Sequence, residues 1–284
     1  IRSARLDLGE RGSTTALLYL PDSAASALAD LAARHRDELE RALGSKTATA
    51  KALLPKDAIH DVLRSRNGSI ALFGRMLAEV PGAGVDGAVQ VAHAFTTHST
   101  SVQVDFFTAV DDVDEWATGA GSAHMNTGEY SSGVFYRYAT VDLRELMANS
   151  GSAAYVRRLT EAFLTGFIHS LPSARKTSTA PHSIPDLVHI AVRGDRPVSL
   201  AAAFERPVRA RDAGWSEPSR AALDDYAAKI SQLIGTSGVV YHGYAGVDDE
   251  ARTHLGTRVD SYPALVAAAL DHLPAGLTNG ESAV

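Results

Sequence analysis

The chain has 284 residues, of which 45% are hydrophobic and 21% charged, so it can bury the core of one large domain or two small ones. It contains no cysteine, which excludes disulfide bonds and thiolate metal sites and fits a reducing compartment. No apolar run is long enough to cross a bilayer, so the sequence predicts a cytoplasmic protein with no membrane partner.

Charge is distributed unevenly along the chain. The net charge of −6 at first argues against a nucleic-acid partner. Residues 71–140 carry two Lys/Arg against eight Asp/Glu, whereas residues 170–212 carry seven against four. A modestly basic segment therefore interrupts an acidic body, although scattered surface charge is the simpler interpretation of composition alone.

The first 65 residues are predicted to be mostly helical. Apolar residues at helical spacing predict an amphipathic helix over 23–43, and a short helix is expected over 57–65 with Asp57 as its cap. The character of the sequence then changes. Residues 69–73 form a short apolar strand candidate, and residues 89–96 mix β-branched and aromatic residues, which favours a strand, although their alanine spacing leaves a helix open.

Strands and helices alternate in the rest of the chain. The predicted elements are a strand at 134–143, a helix at 152–171, a hairpin of 187–192 with 198–204, a helix at 218–235, a strand at 238–241 and a helix at 261–273. This order predicts an α+β protein with a mainly antiparallel sheet.

The long stretch between the strands at 89–96 and 134–143 is unusual. It is rich in Thr, Ser, Asp and Gly but also contains Phe106, Phe107, Trp116 and Tyr130. Long loops in compact domains are usually functional or disordered, and the aromatic residues argue against disorder. We therefore expect this stretch to form a protruding lobe that packs against another surface.

Classical catalytic and cofactor motifs are missing from the sequence. It has no nucleophile elbow, Walker loop or dinucleotide fingerprint, so we expect no cofactor. Histidines and carboxylates that invite a metal site are His93, His98, Asp111, Asp112 and His124. No pair of them has the spacing of a helical zinc motif, and His93 inside an apolar strand is more simply a hydrogen-bonded core residue.

Three patches suit nucleic acid better. In Phe73–Met76, the Met76 side chain could stack on a base and Arg75 could reach a phosphate, the alternative being a methionine in the core. The loop 173–179 offers two cations and several hydroxyls as a phosphate cradle, or is simply solvated. Residues 106–108 could offer a stacking face.

An ordered set of segments carries a family resemblance. Between residues 69 and 147 these are SIALFGRM, VDGAVQVAHAFTTHS, VDFFTAVDD and GSAHMNTGEYSSGVFYRYATVDLREL, followed by PSARKTSTAPHSIPDLVHI and RPVSLAAAFERPV. Together they resemble the backbone subunit of the type I-E CRISPR Cascade surveillance complex, a member of the RAMP superfamily. The resemblance spans most of residues 60–212.

The resemblance implies a hand-shaped α+β fold. An RRM-like (ferredoxin-like) palm over 67–284 would carry an extended thumb insertion at about 98–130, and residues 1–66 would form part of the helical fingers. Family members open with a strand and a basic segment that have no counterpart before Ile1. We therefore expect this part of the family pattern to be missing from the chain.

The resemblance also implies a function without catalysis. Such subunits polymerise along CRISPR guide RNA, kink it periodically and support pairing with target DNA. The expected partners are the guide RNA, the target DNA strand, further copies in a helical filament, the subunit that caps the RNA 5′ end, the large and small subunits and the RNA-processing endonuclease. The residues expected at the RNA are Arg75, Met76, Thr96, Phe106, Phe107, Thr108, Arg175, Lys176 and Thr177.

One enzymatic alternative stays open. Related backbone subunits of other CRISPR types cut RNA with a thumb aspartate, so a metal-dependent nuclease would use Asp105, Asp111 or Asp112. The type I-E resemblance favours the scaffold over the enzyme.

Overall fold

The computed structural model describes residue 14 and residues 17–43, 54–110, 122–210 and 214–274. The chain divides into two compact units. Unit 1 combines the described parts of 1–91, 139–172 and 270–284, and unit 2 combines those of 92–138 and 173–269. Each unit mixes helices and strands, and the division differs from the boundary predicted at residue 67, so the assignment of fingers, palm and thumb stays a prediction.

The helices and strands are numbered here in chain order. The helices are α1 (Ser23–Arg34), α2 (Arg36–Leu43), α3 (Lys56–Arg64), α4 (Gly68–Phe73), α5 (Leu143–Ser150), α6 (Ala153–His169), α7 (Lys176–Thr179), α8 (Ser216–Ile234) and α9 (Tyr262–Asp271). The strands are β1 (Val89–Val91), β2 (Phe95–Thr96), β3 (Gln103–Val110), β4 (Ser122–Tyr130), β5 (Phe135–Tyr136), β6 (Ala139–Val141), β7 (Leu187–Arg193), β8 (Val239–Gly246) and β9 (Thr257–Arg258).

Unit 1 opens with the predicted helices, with two differences. The helix predicted over 23–43 is interrupted at His35, which leaves helical geometry and separates α1 from α2. In α3 the cap position belongs to Pro55, so Asp57 is a first-turn acid near the helix dipole and not the expected cap. Apolar side chains from α1, from α3 and from the loop after α4 share one core: Leu31, Ile59, Leu63, Leu77 and Val80.

The strand predicted at 69–73 is wrong, because these residues form helix α4. The Asn67 side chain accepts a hydrogen bond from the Ile70 backbone N–H at 2.9 Å and so caps the helix. Gly74 ends it at a φ of 78°, in the left-handed region that glycine adopts without strain. The cap and the terminal glycine therefore decide the structure of this short apolar run, which is compatible with either a strand or a helix.

A second core of unit 1 lies around α5 and α6. Strand β1 pairs antiparallel with β6, and the helix predicted over 152–171 is confirmed as α6. Asp142 caps α5 by accepting from two backbone N–H groups, and Ser152 caps α6. The buried residues of this core come from α4, from the position just before β1, and from α5 and α6: Ala71, Leu72, Ala88, Leu146, Val156 and Phe163.

Unit 2 contains the remaining strands. The strands predicted at 89–96 and 134–143 are each two short strands, and β2 from the first region pairs antiparallel with β5 from the second in unit 2. Strands β3 and β4 form an antiparallel hairpin with a bulge between Ala109 and Val110. Strand β7 pairs antiparallel with β8, and β9 joins β8 in parallel.

The hairpin predicted between 187–192 and 198–204 is wrong. Strand β7 pairs instead with β8, and Ala201–Phe204 is a short 3-10 helix. The Phe204 ring packs against Phe95 and Tyr136, so burial of this aromatic residue decides the local structure. The helices predicted over 218–235 and 261–273 are confirmed as α8 and α9.

The architecture in the described ranges is a mixture of helices and small sheets. The sheets have two or three strands each. None of the helices in these ranges is long and apolar enough to span a membrane.

Candidate nucleic-acid interface

The predicted RNA-contacting residues fall on separate parts of the chain. Arg75 and Met76 belong to unit 1, and the others belong to unit 2. In unit 2 they lie on three features: Thr96 in β2, residues 106–108 in β3, and residues 175–177 before and within α7.

Arg75 is buried, which differs from the expectation that it reaches a phosphate. Its residue surface is 5% exposed. The guanidinium donates three hydrogen bonds to backbone carbonyls, from Nε to Ala83 at 2.9 Å and from Nη1 to Tyr19 at 3.2 Å and Ser65 at 3.0 Å. Burial lowers the pKa of Arg75, and the charge of Arg66 lowers it further. The structure therefore gives Arg75 partners within its own unit.

Met76 follows Arg75 directly and is 88% exposed. The core alternative for this methionine is therefore wrong, because its side chain stands in solvent. The next residue, Leu77, is buried again at 5% exposure. A single apolar side chain thus projects from a segment whose neighbours on both sides are fixed inside the unit.

Two glycines allow the backbone beside Met76 to pack closely. A Cβ on Gly74 would stand 2.7 Å from the Val85 carbonyl oxygen, and one on Gly87 would stand 3.0 Å from the Phe73 carbonyl. Arg75 and Val85 exchange both backbone hydrogen bonds, at 2.8 and 2.9 Å. Gly74 is strained for any residue with a Cβ, whereas a Cβ at Gly87 would be tight against its neighbour. Gly74 is the glycine that the FGRM segment of the sequence carries.

The hairpin β3–β4 exposes apolar side chains on both faces. Because side chains alternate along a strand, Phe106 and Phe107 point to opposite faces. One face carries Val104, Phe106, Thr108, Met125, Thr127 and Glu129. The other carries Gln103, Asp105, Phe107, Asn126, Gly128 and Tyr130.

Exposure is high on both faces of the hairpin. Phe106 is 58% exposed and Phe107 is 47% exposed. The two strands contain no Lys or Arg, and Asp105 and Glu129 are their only carboxylates. Contacts made by these strands would therefore be stacking or apolar contacts and not ion pairs with phosphate.

A buried histidine joins the two ends of this insertion. The His98 ring stacks on Trp215 with centroids 4.3 Å apart. The Val134 backbone N–H donates to Nε2 at 3.1 Å, so Nδ1 carries the proton and donates to the Ser99 carbonyl at 2.9 Å. His98 thus holds the backbone through both ring nitrogens where the chain leaves and rejoins the body of unit 2.

The loop around Arg175 is exposed throughout residues 171–180. Arg175 has a φ of 53°, a left-handed conformation that is uncommon for a residue with a Cβ. Its carbonyl accepts hydrogen bonds from the Ser178 and Thr179 hydroxyls at 3.1 Å each. These hydroxyls are therefore engaged locally, and the exposed cations of Arg175 and Lys176 are the groups that can meet an anion.

Thr96 and His93 are near each other in sequence but differ in surroundings. Thr96 is half-buried in β2 opposite Phe135. His93 is exposed between β1 and β2, so its interpretation as a core histidine inside a strand is wrong. The reason is that the predicted single strand is interrupted at residues 92–94, where the chain passes from one unit to the other.

The family model of the CT1975-like proteins matches residues 3–268. The chain belongs to the CT1975-like protein family. No curated protein matches it.

Two solved structures contain chains similar to this CT1975-like protein. One is a chain of a pre-nicking CRISPR RNA-guided surveillance complex, with 43% identity, a TM-score of 0.85, and coverage of 95% of this chain and 76% of that one. Another is a chain of a CRISPR RNA-guided surveillance complex, with 47% identity, a TM-score of 0.67, and coverage of 72% and 78% respectively.

The metal hypothesis concerns residues that are only partly described in this CT1975-like protein. Asp111 and Asp112 lie outside the described residues, as does the side chain of His124. Within the described part of the chain, no group of three or more His, Asp or Glu side chains is placed to hold a metal ion. His98 makes backbone contacts through both ring nitrogens and has none to offer.

Proposed function

We propose that this CT1975-like protein is the repeated backbone subunit of a type I-E CRISPR surveillance complex, which holds guide RNA and catalyses no reaction. The observation that carries the proposal is the 43% identity, over 95% of the chain, to a chain of a CRISPR RNA-guided surveillance complex. The type I-E assignment rests on the ordered sequence segments between residues 69 and 212.

The exposed side chains suit binding that is indifferent to base sequence. A backbone subunit must accept any guide, so it must contact phosphates, sugars and base faces and leave base edges free for pairing. Met76 and Phe107 offer apolar surfaces for stacking or wedging, and Arg175 with Lys176 offers charge to phosphates. Thr96, Phe106, Thr108 and Thr177 complete the proposed contact set.

The hairpin β3–β4 is proposed to be the thumb of the family, on an RRM-like palm. Copies of the chain would stack into a helical filament along the RNA, since an arm that contacts the next copy forms a heterologous interface that does not close. Each thumb would kink the guide RNA and interrupt its pairing with target DNA. One subunit would cap the RNA 5′ end of this cytoplasmic filament, and the large subunit, the small subunits and the RNA-processing endonuclease would be its further partners.

Binding to unrelated RNA sequences tests the proposal. The full chain is titrated with fluorescein-labelled single-stranded RNAs that have equal length and scrambled sequence. We expect dissociation constants within about threefold of each other and a steep loss of affinity with salt. A preference above about tenfold for one sequence, or an absence of RNA binding, would contradict the proposed role.

Metal-dependent RNA cleavage by hairpin carboxylates is the competing function. Asp105 lies on β3, in an exposed position that a substrate could reach. A cleavage assay with magnesium on target RNA bound to the assembled complex separates the two functions. Cleavage that Asp111→Ala or Asp105→Ala abolishes would establish the enzyme, whereas an intact target RNA supports the scaffold.

A further inference from the structure

The segment that carries Met76 is tied to three distant parts of unit 1 through one side chain. The carbonyls that Arg75 binds belong to the segment before α1 (Tyr19), the end of α3 (Ser65) and the loop before Val85 (Ala83). A guanidinium suits this task because its planar fork directs donors in several fixed directions at once. A lysine in the same place has a single nitrogen and cannot reach all three carbonyls.

Arg75 presents no exposed nitrogen to a phosphate. Its remaining nitrogen, Nη2, is buried and has no hydrogen-bond partner among the described residues. Because the residue is 5% exposed, a phosphate would reach the guanidinium only if the three carbonyl bonds were broken and the segment unpacked. Burial and bonding therefore both argue against direct contact with RNA.

The same contacts leave Met76 little freedom in its backbone. The backbone N–H and C=O of Arg75, which precedes Met76, are both hydrogen-bonded to Val85. Leu77, which follows Met76, lies in the first core of unit 1. The direction of the Met76 Cα–Cβ bond is consequently set before any ligand arrives. Such preorganisation raises affinity because less ordering is required on binding.

We infer that Arg75 is a positioning residue, which fixes the backbone that presents Met76 to RNA and does not itself bind phosphate. The inference rests on the proposed RNA-binding function and on a contact between Met76 and RNA. It predicts that substitutions of Arg75 act on RNA binding only through Met76.

A double-mutant cycle on the full chain tests the inference. Arg75→Lys, Met76→Ala and the double variant are titrated with fluorescein-labelled single-stranded RNA over a range of salt concentrations. We expect Arg75→Lys to weaken binding about fivefold, with an unchanged dependence of log affinity on log salt and no further loss when Met76 is already alanine. Hydrogen–deuterium exchange without RNA should rise in the peptide that covers residues 74–78.

Matched variants separate positioning from general damage. Arg157→Lys is the control, because Arg157 in unit 1 also donates to a backbone carbonyl, that of Leu270, but belongs to α6. We expect it to leave RNA affinity unchanged. If Arg75→Lys does not fold, Gly87→Ala disturbs the same segment without removing a charge, and its loss of affinity must likewise disappear in the Met76→Ala background.

Several outcomes would overturn the inference. A salt slope that falls by about 0.7 would show that Arg75 contacts a phosphate itself. Equal losses with and without Met76, unchanged affinity in Arg75→Lys, or unchanged exchange at 74–78 would show that it does not act by placing Met76. If Met76→Ala binds like the wild type, the positioning inference fails while RNA binding stands; if the wild type binds no RNA, the proposed function itself fails.

Discussion

Two exposed regions of this protein present apolar side chains in opposite ways. Met76 projects alone from a segment whose neighbours are buried and hydrogen-bonded within unit 1. The hairpin β3–β4 in unit 2 presents Phe106 and Phe107 from a two-stranded ribbon with exposed side chains on both faces. The first arrangement holds one apolar side chain on a fixed backbone. The second presents apolar side chains on both faces of a two-stranded ribbon, which is little stabilised by packing of its own.

The largest effect expected from this comparison is on the packed backbone beside Met76, where Gly74 lies against Val85. Gly74→Ala should destabilise unit 1 by about 4 kcal/mol, because it adds a left-handed alanine to a Cβ clash with the Val85 carbonyl. Gly151→Ala is the matched control: Gly151 has a φ of 68° but no atom within 4 Å of its Cβ position. It should cost only about 1 kcal/mol. Urea unfolding measures the free energy of unfolding of both variants. Equal losses in the two would show that the backbone beside Met76 is not tightly packed.

Acidification should affect unit 2, which contains the hairpin, through a histidine whose Nε2 is buried. Burial, with a smaller effect of His242, lowers the pKa of His189 in β7 to about 4. Its buried Nε2 has no hydrogen-bond partner among the described residues. Since the unfolded state takes up the proton first, the free energy of unfolding should fall by about 2 kcal/mol from about pH 7.5 to about pH 5.

Substitution of the histidine isolates this pH dependence. His189→Gln cannot titrate, so urea unfolding of this variant should vary less with pH over the same window, whatever its absolute stability. An equally steep pH dependence in the variant would assign the effect to other groups. In either protein, exchange protection at residues 74–78 of unit 1 reports whether the Met76 segment responds separately.

The hairpin itself should matter for assembly and not for folding. Phe107→Ala should weaken target engagement of the assembled complex about tenfold, because it removes a stacking surface. Its solubility and free energy of unfolding should change little, since Phe107 is 47% exposed. Phe106→Ala, on the opposite face, is the matched comparison. Unchanged filament length and target affinity in Phe107→Ala would contradict the assignment of this hairpin as the thumb.

The smallest effect should come from the charged loop. Lys176→Ala removes an exposed cation and should weaken RNA binding about threefold while reducing the salt slope by about 0.7. Arg75→Lys, in contrast, should leave the slope unchanged. A Lys176→Ala variant with the wild-type slope would remove this loop from the proposed interface.

Long helices were predictable from the sequence and short elements were not. Helices α6 and α8 follow sustained apolar periodicity, and the predicted bounds agree with both within two residues of their ends. The segment 69–73 is too short for periodicity to separate strand from helix, and its Asn67 cap carried the decisive information. The partner of β7 was missed because β8 lies far away in sequence.

The candidate site was predictable in its side chains but less so in their roles. Exposure of Met76 and residues 106–108 agrees with side chains available to a ligand. Arg75 stands next to Met76 in the same motif, and nothing in residue type distinguishes a cation that meets phosphate from one that binds carbonyls. Burial alone makes that distinction, and it depends on contacts with segments distant in the chain.

Ribonuclease footprinting of RNA that co-purifies with the protein tests the central claim most directly. The account predicts RNA of uniform length, with protected stretches interrupted at regular intervals where successive hairpins meet the strand. RNA of mixed lengths, or digestion that proceeds without periodic protection, would contradict a repeated subunit that holds its guide without regard to sequence.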